Sequence, residues 1–288
     1  TDVTEGDSMS RLVGQGLTVG YDDRIVIEGL DIEIPDAAVT TIIGPNGCGK
    51  STLLRSMSRL LRPHEGVVLL DGADINHTKP KEVARKLGIL PQNPVAPEGL
   101  TVADLVGRGR FPHQKWYQQA SPEDEAAVAS ALEMTATTEL ADRQIDELSG
   151  GQRQRVWIAM TLAQGTDLLL LDEPTTYLDL THSVDVLDLV YSLRTEHGKT
   201  IVMVLHDLNL AARYSDSLFV MTSGRIVAQG DPHEVITEQL LEEAFGLTAR
   251  VIEDPVYGDP LIVPIGTRSA RRDVVTSVGD HTIGVEAD

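Results

Sequence analysis

Apolar and polar positions along this chain fall into three successive regimes. From Arg11 to about Pro91 the pattern is that of short strands. Leu30-Asp31-Ile32-Glu33-Ile34 alternates as a half-buried strand does, and Val67-Val68-Leu69-Leu70 reads as another, closed by the turn Asp71-Gly72. From about Asn93 to Gln164 the pattern is mostly helical, with Pro122 opening a helix at Glu123-Asp124-Glu125. From Asp167 uninterrupted apolar runs return, Leu168 to Leu171, Ile201 to Leu205 and Leu218 to Met221, of the kind that suits parallel strands covered on both faces. Arg225-Ile226-Val227-Ala228 follows Ser223-Gly224 as the end of a hairpin, and Pro255, Pro260 and Pro264 punctuate strand-like pieces that predict a small β appendage. Together these regimes predict an α/β fold.

Between the first strands lies the stretch with the most chemistry. Val39-Thr40-Thr41-Ile42-Ile43 runs into Gly44-Pro45-Asn46-Gly47-Cys48-Gly49-Lys50-Ser51-Thr52 and then into the helical pattern Leu53-Leu54-Arg55-Ser56-Met57. A glycine loop between strand and helix is the context in which such a sequence binds a nucleoside triphosphate. Gly44, Gly47 and Gly49 let successive amides point into one concavity, and the helix that follows adds its positive end. Asn46 and Thr52 belong to the same loop. Lys50 supplies charge for the β- and γ-phosphates, and the Ser51 hydroxyl is a ligand for Mg²⁺. Cys48 reads as a small filler.

Two further segments carry nucleotide chemistry. Leu168-Leu169-Leu170-Leu171-Asp172-Glu173 is a buried strand that delivers carboxylates to the edge of a parallel sheet, where such sheets bind ligands. Asp172 is placed to hold Mg²⁺ through a water, and Glu173 to take a proton from an attacking water. About twenty residues earlier, Ser149-Gly150-Gly151-Gln152 exposes a hydroxyl and backbone amides at a helix start, a second anion cradle. Two phosphate cradles this far apart suggest that each serves a different nucleotide in a head-to-tail dimer.

Composition narrows the setting. The chain has 288 residues, 41% hydrophobic but 4% aromatic, so its core is mostly aliphatic. A single cysteine excludes an internal disulfide framework and fits a reducing compartment. No stretch approaches the roughly 20 apolar residues that span a bilayer. The polar, acidic start Thr1-Asp2-Val3-Thr4-Glu5 does not resemble a signal peptide, which predicts a soluble chain whose membrane role runs through partners. A net charge of −20 argues against a nucleic-acid surface and against direct docking on anionic lipid.

With these elements in order, the chain resembles the ATP-binding subunits of ABC transporters from about Arg11 to Gly246. The resemblance implies a RecA-like parallel-sheet core, an antiparallel β subdomain and a helical lobe at about 93–164. Outside that span, the polar, acidic start reads as a flexible segment at 1–10, and 247–288 as a C-terminal extension whose mixed, weakly apolar residues predict disorder from about Arg268. The resemblance assigns Tyr21 to stacking on adenine, Gln92 to sensing Mg²⁺ and water, Asp179 to a loop crossing the dimer interface, and His206 to the γ-phosphate. Two copies would sandwich two ATP molecules, each held by Lys50 and Ser51 of one copy and by Ser149, Gly151 and Gln152 of the other. Two transmembrane permease subunits would take up the motion at the cytoplasmic face of the membrane, with a substrate-binding protein involved indirectly.

Val106-Gly107-Arg108-Gly109-Arg110-Phe111-Pro112-His113-Gln114, Tyr177 before Leu178-Asp179, and Leu205-His206-Asp207-Leu208-Asn209-Leu210-Ala211 are similar to the importers of ferric siderophores, haem and cobalamin. Ferric siderophore is the expected cargo, with haem or cobalamin import as alternatives. Without this resemblance, Arg110 to Gln114 reads as a solvated loop. Other readings are a soluble ABC ATPase of DNA repair or translation, an exporter or cofactor-assembly ATPase, and a binding module without turnover. The first usually carries a coiled coil or a second cassette, exporters often fuse a membrane span, and Glu173 with His206 argues for turnover.

Overall fold

Each apolar run of the second half of the chain becomes a strand of one mixed sheet. The computed structural model describes residues 10–114 and 120–265. The expected flexible segments at 1–10 and from Arg268 onward, apart from residue 10, lie outside the described residues. The central sheet contains β3 (Val39–Ile43), β6 (Leu87–Leu90), β7 (Leu168–Asp172), β8 (Thr200–Val204), β9 (Ser217–Thr222) and β10 (Arg225–Gly230), in the order β10-β9-β3-β8-β7-β6. All neighbours pair in parallel except β10, which closes an antiparallel hairpin with β9. The run expected to end at Leu205 gives a strand that ends one residue earlier, at Val204, with the Leu205 N–H still donating to the Ile42 carbonyl at 3.4 Å.

Alternation places successive residues of these strands on opposite faces, so two cores form. Ile42, Leu168, Leu170, Val202 and Val204 face one core, shared with the antiparallel sheet of β1 (Leu12–Tyr21), β2 (Arg24–Ile34), β4 (Glu65–Leu70) and β5 (Ala73–Asp74) and with α1 (Lys50–Met57). Val39, Ile43, Leu169, Leu171, Ile201 and Met203 face the other, covered by helices. These are α3 (Val102–Arg108), α4 (Pro122–Met134), α5 (Gly150–Ala163), α6 (Leu180–Thr195), α7 (Leu208–Tyr214) and α9 (Glu238–Phe245). Two short helices, α2 (Pro80–Ala84) and α8 (Pro232–Val235), complete the described set. The α/β fold, with a parallel core, an antiparallel β part and a helical lobe, is as expected. The prolines past Leu247 mark a hairpin of β11 (Ala249–Glu253) and β12 (Pro260–Pro264).

The helix expected from Pro122 forms with Ser121 as its cap, in a reciprocal box with Asp124. Asp124 also accepts from Arg110 Nε at 2.8 Å, and Arg110 Nη1 donates to the Ala163 carbonyl at 2.9 Å. Lys81 and Arg85 reach the carbonyls of Gln114 and Pro112. Arg110 to Gln114 is therefore a strap joining α2, α4 and the end of α5 rather than a solvated loop.

The consequence for the site lies in strand order. Because β3, β8, β7 and β6 are consecutive neighbours, their C-terminal ends present Gly44–Gly49, His206, Asp172-Glu173 and Gln92 along one edge.

A candidate nucleotide-binding and hydrolysis site

The loop after β3 wraps a concavity at the start of α1. Gly44 has φ 154°, and a Cβ there would stand 2.1 Å from the Met221 carbonyl oxygen, so only glycine allows this approach to β9. Helix α1 starts at Gly49 with no side-chain cap, whereas α3, α4, α5, α6 and α7 each carry one. Its first-turn amides are left for an anion. Lys50 is buried, and its Nζ donates to the carbonyls of Gly44 at 2.8 Å and Pro45 at 3.1 Å. Cys48 is also buried, and burial pushes its thiol pKa up, as fits a neutral filler.

A cavity of about 280 Å³ opens on this loop, lined by Asn46, Gly47, Gly49, Lys50, Ser51 and Thr52. Tyr21, Glu173 and His206 line the same cavity, so the structure brings together residues more than a hundred positions apart. Arg24 and Val26, which the sequence reading passed over, line it too. Their signal was the tight turn Asp22-Asp23 after Tyr21, which folds β2 back beside the aromatic ring. Tyr21 is half-exposed, and its hydroxyl accepts from Arg55 Nη1 at 3.2 Å.

At the acidic end, Ser51 Oγ donates to Asp172 Oδ1 at 2.9 Å. Burial pushes the Asp172 carboxyl above its ordinary value; the Ser51 hydrogen bond opposes this and the neighbouring Glu173 adds to it. A hydroxyl and a carboxylate in contact at the mouth of a phosphate loop are oxygen donors of the type a hard divalent cation takes. Among the described residues no group of three or more His, Cys, Asp and Glu could hold a metal; a cation at Ser51 and Asp172 would take its other oxygen ligands from phosphate or water.

Glu173 is almost fully buried and is held from three sides. Gln92 Nε2 donates to Oε2 at 2.5 Å, Thr176 Oγ1 donates to the same oxygen at 2.9 Å, and His206 Nε2 lies 2.6 Å from Oε1. Burial alone would raise its pKa; the hydrogen bonds from Thr176, His206 and Gln92 outweigh it and leave the carboxyl below its ordinary value. Thr176 in this role was not foreseen: only the left-handed turn at Glu173, φ 54°, brings its hydroxyl back onto the carboxylate.

Ser149, Gly151 and Gln152 are not brought to this cavity. They line a separate one of about 450 Å³ with Arg155, His182 and Asp185. Ser149 caps α5 in a reciprocal box with Gln152, each side chain bonding the other's backbone N–H. A Cβ on Gly151 would come within 2.3 Å of the His182 ring, which is itself tied to Asp179 through Nδ1 at 2.7 Å. Asp179 caps α6 beside two strongly exposed apolar side chains, Tyr177 and Leu180.

Known proteins resemble this arrangement closely. The family described as ABC transporter matches residues 27–176. The ferric enterobactin transport ATP-binding protein of Escherichia coli strain K12 is 54% identical over 260 residues, covering 90% of this chain and 96% of that protein. The probable siderophore transport system ATP-binding protein of Bacillus subtilis strain 168 is 54% identical over 258 residues, 90% of this chain and 94% of that one. Among solved structures, an inward-facing metal-chelate type ABC transporter superposes with a TM-score of 0.78 at 26% identity, covering 90% of this chain and 98% of its own.

Proposed function

This chain belongs to the ABC transporter family as an ATP-hydrolysing, ATP-binding subunit, and from that premise we propose that it powers import of a ferric siderophore through partner permeases. One observation supports the chemical half of this reading above the others: Lys50, Ser51, Glu173 and His206 line a single cavity at the ends of three neighbouring strands. The cargo half rests on the two siderophore relatives above, each of which this chain covers almost completely.

In this reading the triphosphate lies along the uncapped start of α1, with the base against Tyr21 and the β- and γ-phosphates taken by Lys50 and the loop amides of Gly44, Asn46, Gly47 and Gly49. Ser51, Gln92 and Asp172, the last through a water, would hold Mg²⁺ beside the phosphates, with Thr52 contributing to the phosphate loop; the cation would neutralise charge on the phosphate oxygens. A water near Glu173 loses its proton to that carboxylate as its oxygen bonds to the γ-phosphorus and the bond to the β,γ-bridging oxygen breaks, giving ADP and phosphate. Oε1 of Glu173 lies 2.6 Å from His206 Nε2. A γ-phosphate that draws the imidazole toward itself frees that oxygen for the water.

The second cradle, at Ser149, Gly151 and Gln152, lines no residue of the first cavity, so it serves the nucleotide of a second copy. Exposed Tyr177 and Leu180 beside Asp179 belong to that contact, where burial would remove apolar surface from water. ATP then favours a closed homodimer through contacts made only there, and hydrolysis releases them. No helix among the described residues is long and apolar enough to cross a membrane. The chain acts from the cytoplasmic face, on two permease subunits and through them on a substrate-binding protein. The ATPase unit is 11–246, with the helical lobe at 93–164.

Reconstitution tests this reading: the chain is placed with its permeases in liposomes holding a substrate-binding protein outside. ATP hydrolysis stimulated by the ferric siderophore-loaded protein, and not by its empty form, is expected. Stimulation by haem or cobalamin instead would move the cargo assignment, and stimulation by none of the three would refute it.

A further inference from the structure

Asn209 stands three residues after His206, in the first turn of α7, and its side chain pairs with strand β12. Its Oδ1 accepts from the backbone N–H of Ile262 at 2.7 Å, and its Nδ2 donates to the Ile262 carbonyl at 3.2 Å. A primary amide offers an acceptor and a donor side by side, as a peptide edge does, so Asn209 adds one rung to the β11–β12 ladder. One helical turn later, the Arg213 guanidinium lies 4.0 Å over the ring of Tyr257, in the connection between the two strands. Residues four apart share a face of a helix, so one face of α7 grips the hairpin at two points.

The hairpin is no loose appendage. Ala249 and Ile262 are both 4% exposed and belong to the same apolar core as Leu205 and Ala211. At the start of α7, Asp207 caps the helix by accepting from the Leu210 N–H at 2.9 Å. Only Asp207 and Leu208 therefore separate His206 from the clasp. The His206 ring is half-exposed, so the backbone on either side, β8 before and α7 after, sets where it stands.

We infer that the C-terminal hairpin, through Asn209, fixes the first turn of α7 and so holds His206 at the reacting end of the nucleotide site. Asn209 is a positioning residue for hydrolysis, and the β11–β12 hairpin is part of the hydrolytic apparatus. This rests on the role proposed above for His206.

The test compares Asn209→Ala, Asn209→Asp and His206→Ala in the 288-residue chain. Steady-state ATP turnover gives kcat and KM, and titration with a fluorescent ATP analogue gives affinity. Asn209→Ala should lower kcat about tenfold while KM and affinity stay within about twofold, the signature of an interaction felt in the reaction step rather than in binding. Asn209→Asp should fall between, because its carboxylate still accepts from the Ile262 N–H but cannot donate to the carbonyl. It also provides the reading if the alanine variant does not fold. Wild-type kcat in both Asn209 variants, with His206→Ala inactive, would overturn the inference alone. Affinity lost in step with kcat would reduce Asn209 to general stability and overturn it too. Wild-type turnover in His206→Ala would overturn the reading of the site itself, and the inference with it.

Discussion

The hydroxyl of Thr176 donates to the carboxylate of Glu173 at 2.9 Å across a turn in which Glu173 itself takes φ 54°. A non-glycine residue in the left-handed region costs about 1 kcal/mol, and the contacts around Glu173 over-determine that conformation. The turn sets the aim of the carboxylate, and the hydroxyl, with His206 and Gln92, lowers its pKa against the effect of burial.

Replacing Thr176 with valine removes a donor that stabilises the charged form, so the Glu173 pKa rises toward the value that burial favours. A protonated Glu173 cannot accept the proton of water, and activity is lost as pH falls through its pKa. The acidic limb of the kcat–pH profile of Thr176→Val should therefore lie at higher pH than that of the wild type. An unmoved limb would separate Thr176 from the titration of the base.

Lys50 donates to the carbonyls of Gly44 and Pro45. Its ammonium is thus kept at the loop, ready to exchange carbonyls for phosphate oxygens. Lys50→Ala should weaken ATP affinity by about tenfold or more, the scale of a charged hydrogen bond. Fluorescent-nucleotide titration checks this, and unchanged affinity would remove Lys50 from the cradle.

Much of this site was legible because its chemistry is local. Gly44 to Thr52 needs only its own glycines and the helix after it, and Asp172-Glu173 needs only a buried strand to carry it. What was not legible is set by tertiary approach. Nothing in the spacing of Thr176 places its hydroxyl on Glu173, since that depends on a positive φ at a glutamate. Three prolines predicted the β11–β12 appendage, yet its attachment is one asparagine amide seated on a strand edge, a contact with no periodicity to betray it. Arg110 likewise reads as surface until Asp124, fourteen residues on, comes to its guanidinium.

That ion pair carries a prediction for stability. Both side chains are close to nine-tenths buried. Hydrogen bonds from Arg110 and from the Ser121 N–H outweigh burial and lower the Asp124 pKa from 3.8 to about 2. Because the folded value is depressed, the stabilisation is complete above the ordinary carboxylate range and drains away as pH falls from about 4 toward about 2. Asp124→Asn should cost about 3 kcal/mol at neutral pH, the scale for leaving a buried charge unpaired, and should flatten the loss seen in acid. Urea unfolding at several pH values measures both.

Gly151 packs against the His182 ring with no room for a methyl group. Gly151→Ala should push α5 and the start of α6 apart, displacing the Ser149 cradle while leaving Lys50 and its cavity alone. ATP affinity of the single chain should survive, and ATP-dependent association should fall. Loss of affinity in the isolated chain would place Gly151 in the first cavity after all.

The division of one hydrolytic site between two copies is tested most directly by light scattering of Glu173→Gln with and without ATP. Glutamine keeps the shape of the carboxylate but takes no proton, so bound ATP persists. A stable dimer in ATP, monomer without it, and no dimer once Ser149→Arg is added to the same chain are the expected results. A Glu173→Gln chain that binds ATP yet stays monomeric, or one that hydrolyses it at the wild-type rate, would contradict the shared site and the role of its base.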